Sequence, residues 1–543
     1  MASKESFAHP SLARIRRNSR RFLPDGWEEM LQPPNPPCLA CRPWDEGSVF
    51  SDSLRGSDVE EAVVPEGVEV LDASAFAGCR RLTRVSLPST LRVIEESAFW
   101  GCESLSTLTL PPSLERIGSR AFSGCSALVE LNIPAGVREI GSGAFANCEN
   151  LTTLTLPPFL NWIGMSTFSG CRALKELVIP DGVREIADSA FADCESLTSL
   201  TLPSSLERIG KYACSGCRRL EGLVIPDSVQ EIGQGALRNC SRLRRLVLPA
   251  GLRTLPEDLF AGCEALEEIV FPRCAETLPR LHGCVRLRRV VLPEALCSED
   301  RGVSPEDNFI DTLTYHFSPS FAAANLEIVL PEGLTRVGAN AFAGTKIRAV
   351  QFPSTLREIG EHAFIECPNL TRLELPAGVR EVGKEAFTDC SSLTELILPA
   401  GLSGWGEAAF SFCGALRTLT LPEGLAEIGE DAFFACTALE EVRFPSTLRK
   451  IGAGAFRHCG ALKQLALPAG LAEVGEHAFD HCRSLRGVSF PDGLQTLGGG
   501  AFADCGSLTE ARLPRAWRAL GARGRWKERL EQAGIPKQAR VYR

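Results

Sequence analysis

His458 and His481 stand 23 residues apart. Two imidazoles can share a divalent ion when a fold brings them to about 5 Å, the spacing of neighbouring parallel strands. A transition-metal site needs at least a third donor, and none is evident beside this pair, so both histidines are read as members of a solvated convex loop. Cys38-x-x-Cys41 has the spacing of half a zinc knuckle but lacks a second pair. The remaining sulfur is more abundant and more regular. Of 22 cysteines, seventeen occupy one recurring position, from Cys79, Cys102, Cys125 and Cys148 onward to Cys505. Disulfides need pairing geometry that varies along a chain, whereas a fixed phase reads as one small buried hydrophobe used repeatedly. No phosphate-cradling G-x-x-x-x-G-K-[ST], no G-x-S-x-G and no H-E-x-x-H occurs. The chain is therefore expected to be non-enzymatic and to carry no cofactor, with an enzyme or metal-dependent module as a remote alternative.

A beat of prolines positions these residues. Pro65 through Pro272 fall at a strict step of 23, and Pro353 through Pro514 resume it. Each proline ends an apolar run, L-x-x-[LVI]-x-[LIVF]-P, as in Leu82–Pro88, Leu105–Pro111, Leu128–Pro134 and Leu508–Pro514. In the unit that begins at Leu82, Val85 and Leu87 are two apart and share one face of a strand, while Arg84 and Ser86 face the other way. Pro88 has no N–H for the ladder and stops the strand. Leu91 and Ile94 turn inward on the return path. A glycine often follows the Ile site, as at Gly118, Gly141 and Gly210, where a turn with positive φ is expected. Ala98-Phe99-x-x-Cys102 has helical spacing over about one or two turns, with Phe and Cys inward. One unit cannot bury these faces alone, so stacking into Leu, Phe and Cys ladders follows.

The motif L-x-x-[IL]-x-[IL]-P-x-x-[LV]-x-x-I-G-x-x-A-F-x-x-C, present at Leu128–Cys148, Leu370–Cys390 and Leu416–Cys436, resembles that of BspA-type (Treponema pallidum-type) leucine-rich repeat proteins. The resemblance covers about residues 59–514. It implies an interaction or adhesion protein, in bacteria often at the cell surface. The fold class expected is an α/β repeat solenoid, a curved array with parallel inner strands and short helical or irregular convex segments. The organisation read from the beat is a basic, Pro-rich lead-in at 1–58, a first repeat block at 59–293, an insertion or degenerate repeat at 294–325, a second block at 326–514, and a basic cap or tail at 515–543. In that last segment Trp517, Leu520, Trp526 and Leu530 have approximate helical spacing and would shield the final ladder.

Net charge is -9, with basic residues concentrated at both ends, so the repeats themselves are strongly acidic. That weighs against a nucleic-acid channel. No stretch reaches the ~18 apolar residues of a membrane helix, and Met1–Met30 has no apolar signal-peptide core. A cytoplasmic, monomeric protein is expected, with the cell surface as the alternative. Its partner is expected to be a protein of unknown identity, held on the concave face by the outward strand positions. A run of Val224, Val247, Val270, Val291 and Val329 forms an apolar stripe there, and Arg245, Glu268, Arg289 and Glu327 alternate in sign beside it. Valine is also simply a good strand former. Thr107/Thr109 and Thr153/Thr155 are similar to ice-binding ladders but are separated by non-Thr units.

Overall fold

The structure, a computed structural model, describes residues 54–297, 325–515, 517, 525–537 and 539–542. The lead-in with Cys38 and Cys41, Leu520, and most of the 294–325 segment lie outside the described residues. The chain forms two compact units. The first runs to Glu267 and includes Thr277–Cys284; the second holds Glu268–Glu276 and everything from Val285 onward.

Each unit is a parallel-strand solenoid with little helix. In the first, three-residue strands pair in register with those one repeat away: Glu61–Val63 with Arg84–Ser86, Glu130–Asn132 with Thr153–Thr155, Glu176–Val178 with Ser199–Thr201, and Gly222–Val224 with Arg245–Val247. The middle residue is inward and the outer two face solvent, as the period of two requires. Two-residue strands after the proline turn, Val70–Leu71, Val93–Ile94, Arg116–Ile117 and Glu139–Ile140, stack into a second parallel ladder. The second unit repeats both ladders. Its strand Arg289–Val291 pairs directly with Leu326–Val329, so the ladder crosses the long interruption between Pro293 and Pro331 without losing a rung.

The segment Ala98–Cys102 is not helical; it is a tight turn, and its amides show why. Ser97, Phe99 and Gly101 N–H groups donate laterally to the Ser119, Ala121 and Ser123 carbonyls of the next repeat at 2.9, 2.7 and 2.7 Å. Ala98, Trp100 and Cys102 donate locally to the carbonyls three residues back. With alternate amides committed to a neighbour, no i→i−4 series can form. The path needs left-handed residues, and Ser97 (φ 57°) and Gly101 (φ 69°) supply them.

The glycines after the Ile site have a different cause from the positive φ expected of them. Gly118 lies outside the left-handed region, but a Cβ there would sit 2.6 Å from the Glu95 carbonyl carbon. Stacked backbones approach too closely at that corner for a side chain.

The core is made of columns. In the first unit Phe76, Phe99, Phe122, Phe145, Phe168 and Phe191 stack face to face with centroids 5.2–5.6 Å apart. In the second, Phe342 through Phe502 stack without a gap. The cysteines beside them are buried and free. They do more than fill space: Cys102, Cys125 and Cys148 Sγ donate to the Phe76, Phe99 and Phe122 carbonyls at 3.1, 3.3 and 3.2 Å. Thr345, at a cysteine position, turns its hydroxyl to its own Phe342 carbonyl at 2.7 Å and contacts Cys367 Sγ.

Beyond Pro514 the chain continues the ladders. The Gly500 and Phe502 amides donate to the Gln532 and Ala533 carbonyls, both at 2.7 Å, and Arg540–Tyr542 adds a strand beside Glu510–Arg512. A helix, Arg525–Gln532, carries Leu530 inward. Trp517 is buried, stacked on Phe490 and covered by the Arg529 guanidinium at 5.2 Å.

Candidate functional site

Two surfaces carry chemistry that the core does not use. The first is the open face of the three-residue strands. In the first unit Val224 and Val247 lie side by side in register, 65% and 53% exposed, with Gly222 beside Arg245 one step before them. Val178, from an earlier rung, is 67% exposed. In the second unit Val270, Val291 and Val329 form one row and Glu268, Arg289 and Glu327 the row next to it. Val270 is exposed, while Val291 and Val329 are half-buried. The Arg289 guanidinium donates to Glu268 at 2.6 Å, and Gln351 Nε2 donates to Glu327 at 2.5 Å. These charges are thus already partnered along the strip, in water, where such pairs contribute little to stability. The arrangement offers apolar contact beside a polar rail and presents no reacting group.

The second surface is a column of turn residues in the second unit. His458 and His481 come together as their spacing predicts, with ring centroids 4.4 Å apart and planes tilted by 45°. Four further residues, none of them singled out by the sequence, join them. Asp480, only 2% exposed, accepts from His481 Nδ1 at 2.6 Å through Oδ1. Its Oδ2 lies 3.2 Å from His477 Nδ1 and accepts from Arg457 Nε at 3.1 Å. Asp504 Oδ2 lies 3.3 Å from His481 Nε2. A signal for one of them was present: Asp504 follows His481 by the same 23 residues that separate the histidines. Asp480, one residue out of phase, left no such trace. Phe434 packs edge-on against His458. Burial, and then the charge His481 can carry, push the His458 imidazolium below the usual histidine range.

The buried thiols have the opposite character from nucleophiles. Desolvation pushes Cys125, Cys171 and Cys436 up to about 12 and drives Cys148 well above the ordinary range. They are protonated donors to carbonyls. Among the described residues, no helix is long and apolar enough to cross a membrane.

This repeat geometry matches a known family model, the BspA type leucine-rich repeat region (6 copies), over residues 48–175, 161–281, 317–436 and 406–524. The chain belongs to the BspA-type leucine-rich repeat family. Among solved structures, it is similar to a leucine-rich repeat protein from Bacteroides ovatus at 25% identity, covering 83% of this chain and 91% of that one, TM-score 0.35. It is similar to the Treponema pallidum leucine-rich repeat protein at 30% identity, covering 37% of this chain and 86% of that one, TM-score 0.27. It is also similar to a leucine-rich cell surface protein of Faecalibacterium prausnitzii at 21% identity, covering 79% and 89%, TM-score 0.30. The comparison with curated proteins gives no match.

Proposed function

We propose that the chain is a non-enzymatic, monomeric scaffold that holds a protein ligand against the concave strand face of its repeats. The observation that carries this reading is the set of valines left open on strands whose inner residues are buried at Leu223 and Ile269 and half-buried at Leu246. Val224 and Val247 in the first unit and Val270 in the second are each at least half exposed and stand beside charged residues. Apolar contact area rimmed by charge is the composition of a protein-binding patch. Arg245, Glu268, Arg289 and Glu327 then set the register of the ligand more than the strength of its binding. The acidic repeats disfavour a nucleic-acid ligand. The free, buried cysteines suit a reducing compartment, and we place the protein in the cytoplasm on that ground.

The test replaces Val247 and Val270 with lysine, singly and together. Affinity capture with the full chain and with each variant is compared by quantitative mass spectrometry. The proteins captured by the wild type are lost from the double variant; equal recovery would overturn binding at these faces.

A second reading is favoured by family membership: a cell-surface adhesin of the BspA type. Localising the tagged full-length protein in its own cell separates the two. Surface labelling of intact cells supports the adhesin, and recovery in the soluble interior supports the scaffold.

A further inference from the structure

We propose that Arg218, Arg219 and Arg242 form a binding site for a phosphate monoester carried on a protein, that is, a phosphorylated serine or threonine. The site lies in the first unit, in the turns that lead into the strands Gly222–Val224 and Arg245–Val247. Three physical arguments support it.

The first is convergence. Glu195, Ser196, Arg218, Arg219, Ser241 and Arg242 line one surface recess of about 290 Å³. They come from three successive repeats, one and two residues after the ladder cysteines Cys194, Cys217 and Cys240. Stacked turns hold equivalent residues on the order of 5 Å apart. Arg219 and Arg242, at the same place in neighbouring repeats, therefore stand side by side.

The second is unbalanced charge. Among the described residues of this unit, the other arginines at these two turn positions are all neutralised. Arg80 pairs with Glu103 at 3.2 Å, Arg172 pairs with Glu195 at 3.9 Å, and Arg81 pairs with Glu60. At the recess the partner is missing from the pattern: Arg218 is followed one repeat later by Ser241, and Arg219 by Arg242. The Ser241 hydroxyl donates to the Arg218 carbonyl at 3.4 Å and leaves the guanidinium untouched. None of the three guanidiniums has an ion pair or a hydrogen bond among the described residues. Three arginines and one glutamate give the lining a net charge of +2, and that glutamate already faces Arg172.

The third is the match to one ligand class. A phosphorylated side chain carries a charge of about −1.5 to −2 and three acceptor oxygens. Guanidiniums present planar forks of N–H donors that take such oxygens in pairs. The surroundings select against longer polyanions. At the position after the cysteine, the recess is bounded by Glu195 on one side and Glu264 on the other. A nucleic-acid backbone, charged at every nucleotide, runs on over those carboxylates, whereas a single phosphate fits between them. A protein is the bearer because the recess adjoins the open strands: Arg219 precedes Gly222 by three residues, and Arg242 precedes Arg245 by three. This choice of bearer rests on the protein-binding reading of the strand face; the phosphate site itself does not.

The experiment uses the full chain and follows the phosphorus NMR line of the blocked tripeptide glycyl-phosphoseryl-glycine as protein is added. The line should broaden. Arg219→Gln should weaken binding at least fivefold, and Arg219→Gln combined with Arg242→Gln should remove it. Both arginines are exposed, so the melting temperature should stay unchanged in these variants. Arg219→Lys keeps the charge but loses the fork, and should restore only part of the affinity. The basic ends of the chain are the same in every variant, so binding there survives the substitutions. No broadening with the wild type, or equal broadening with the double variant, would overturn the site. Inorganic phosphate held at least tenfold more tightly than the peptide would overturn a protein as the bearer. A single-stranded oligonucleotide held more tightly than the peptide, and lost from the double variant, would overturn the choice of a phosphate monoester. The peptide has no apolar side chain for Val224 or Val247, so this site and the valine face fail separately.

Discussion

The two units use the same turn, but only one fills it uniformly. In the second unit eight phenylalanines from Phe342 to Phe502 stack in an unbroken column. In the first the column stops at Phe191, because Cys214 and Leu237 take the next two Phe positions. The backbone ignores the change: the amides of Cys214 and Leu237 still donate laterally to Ala236 and Leu259 carbonyls at 2.8 and 3.2 Å. The turn is therefore specified by alternating amides and left-handed residues, and the ring contributes burial. Aromatic content measures how firmly a repeat is held, while the amide pattern decides whether it is a repeat at all.

The largest test of that contrast compares Phe433→Ala with Phe191→Ala. Phe433 is stacked between Phe410 and Phe456, with Trp405 against its edge. Phe191 is stacked on Phe168 on one side, and Cys214 takes the Phe position of the next repeat. Truncating a buried phenylalanine costs about 3–5 kcal/mol. Phe433→Ala should sit at the upper end and Phe191→Ala at the lower, read as loss of local protection in hydrogen exchange. Equal losses would mean that the aromatic column adds nothing beyond the area of each ring.

A smaller effect should appear in alkali. The buried thiols of both units ionise less readily than they would in an unfolded chain, because desolvation opposes the thiolate. Below the ordinary thiol value of 9.0 both states are protonated and this contribution is fully present. As pH rises from there toward about 12, unfolded thiols lose protons first, so stability falls across that window. Denaturant midpoints should hold between pH 8 and about pH 9 and decline from there to pH 11, and buried thiols should resist a thiol reagent until the protein opens. A flat profile, or rapid labelling of the native state at pH 8, would contradict the burial of the column.

The smallest effect separates face from core. Val247→Lys, on the open side of its strand, should change stability by no more than about 0.5 kcal/mol, whereas the neighbouring inward Leu223 is almost fully buried. A large loss of stability in Val247→Lys would show that the open face supports the fold.

Much of this molecule can be read one repeat at a time. The proline step, the strand alternation at Arg84-Val85-Ser86, and the inward Phe and Cys phases depend on residues within a few positions of each other, and a local pattern is visible in a linear sequence. The face that carries Val224, Val247 and Val270 is legible for the same reason. What the sequence hid depends on neighbours 22 to 26 residues away. The convex segment became a turn because the Phe99 amide bonds to Ala121 instead of continuing a helix. Gly118 answers to the closeness of the Glu95 backbone, not to its own φ. The cysteines became hydrogen-bond donors because thiols such as those of Cys125 and Cys148 meet the Phe carbonyl of the repeat before them, 26 residues back. The histidine pair gained Asp480 and Asp504 only when three turns were stacked. The sequence determined the unit and its two faces. The tertiary structure decided what each unit does to the next, because those contacts are lateral and exist only once the repeats are assembled.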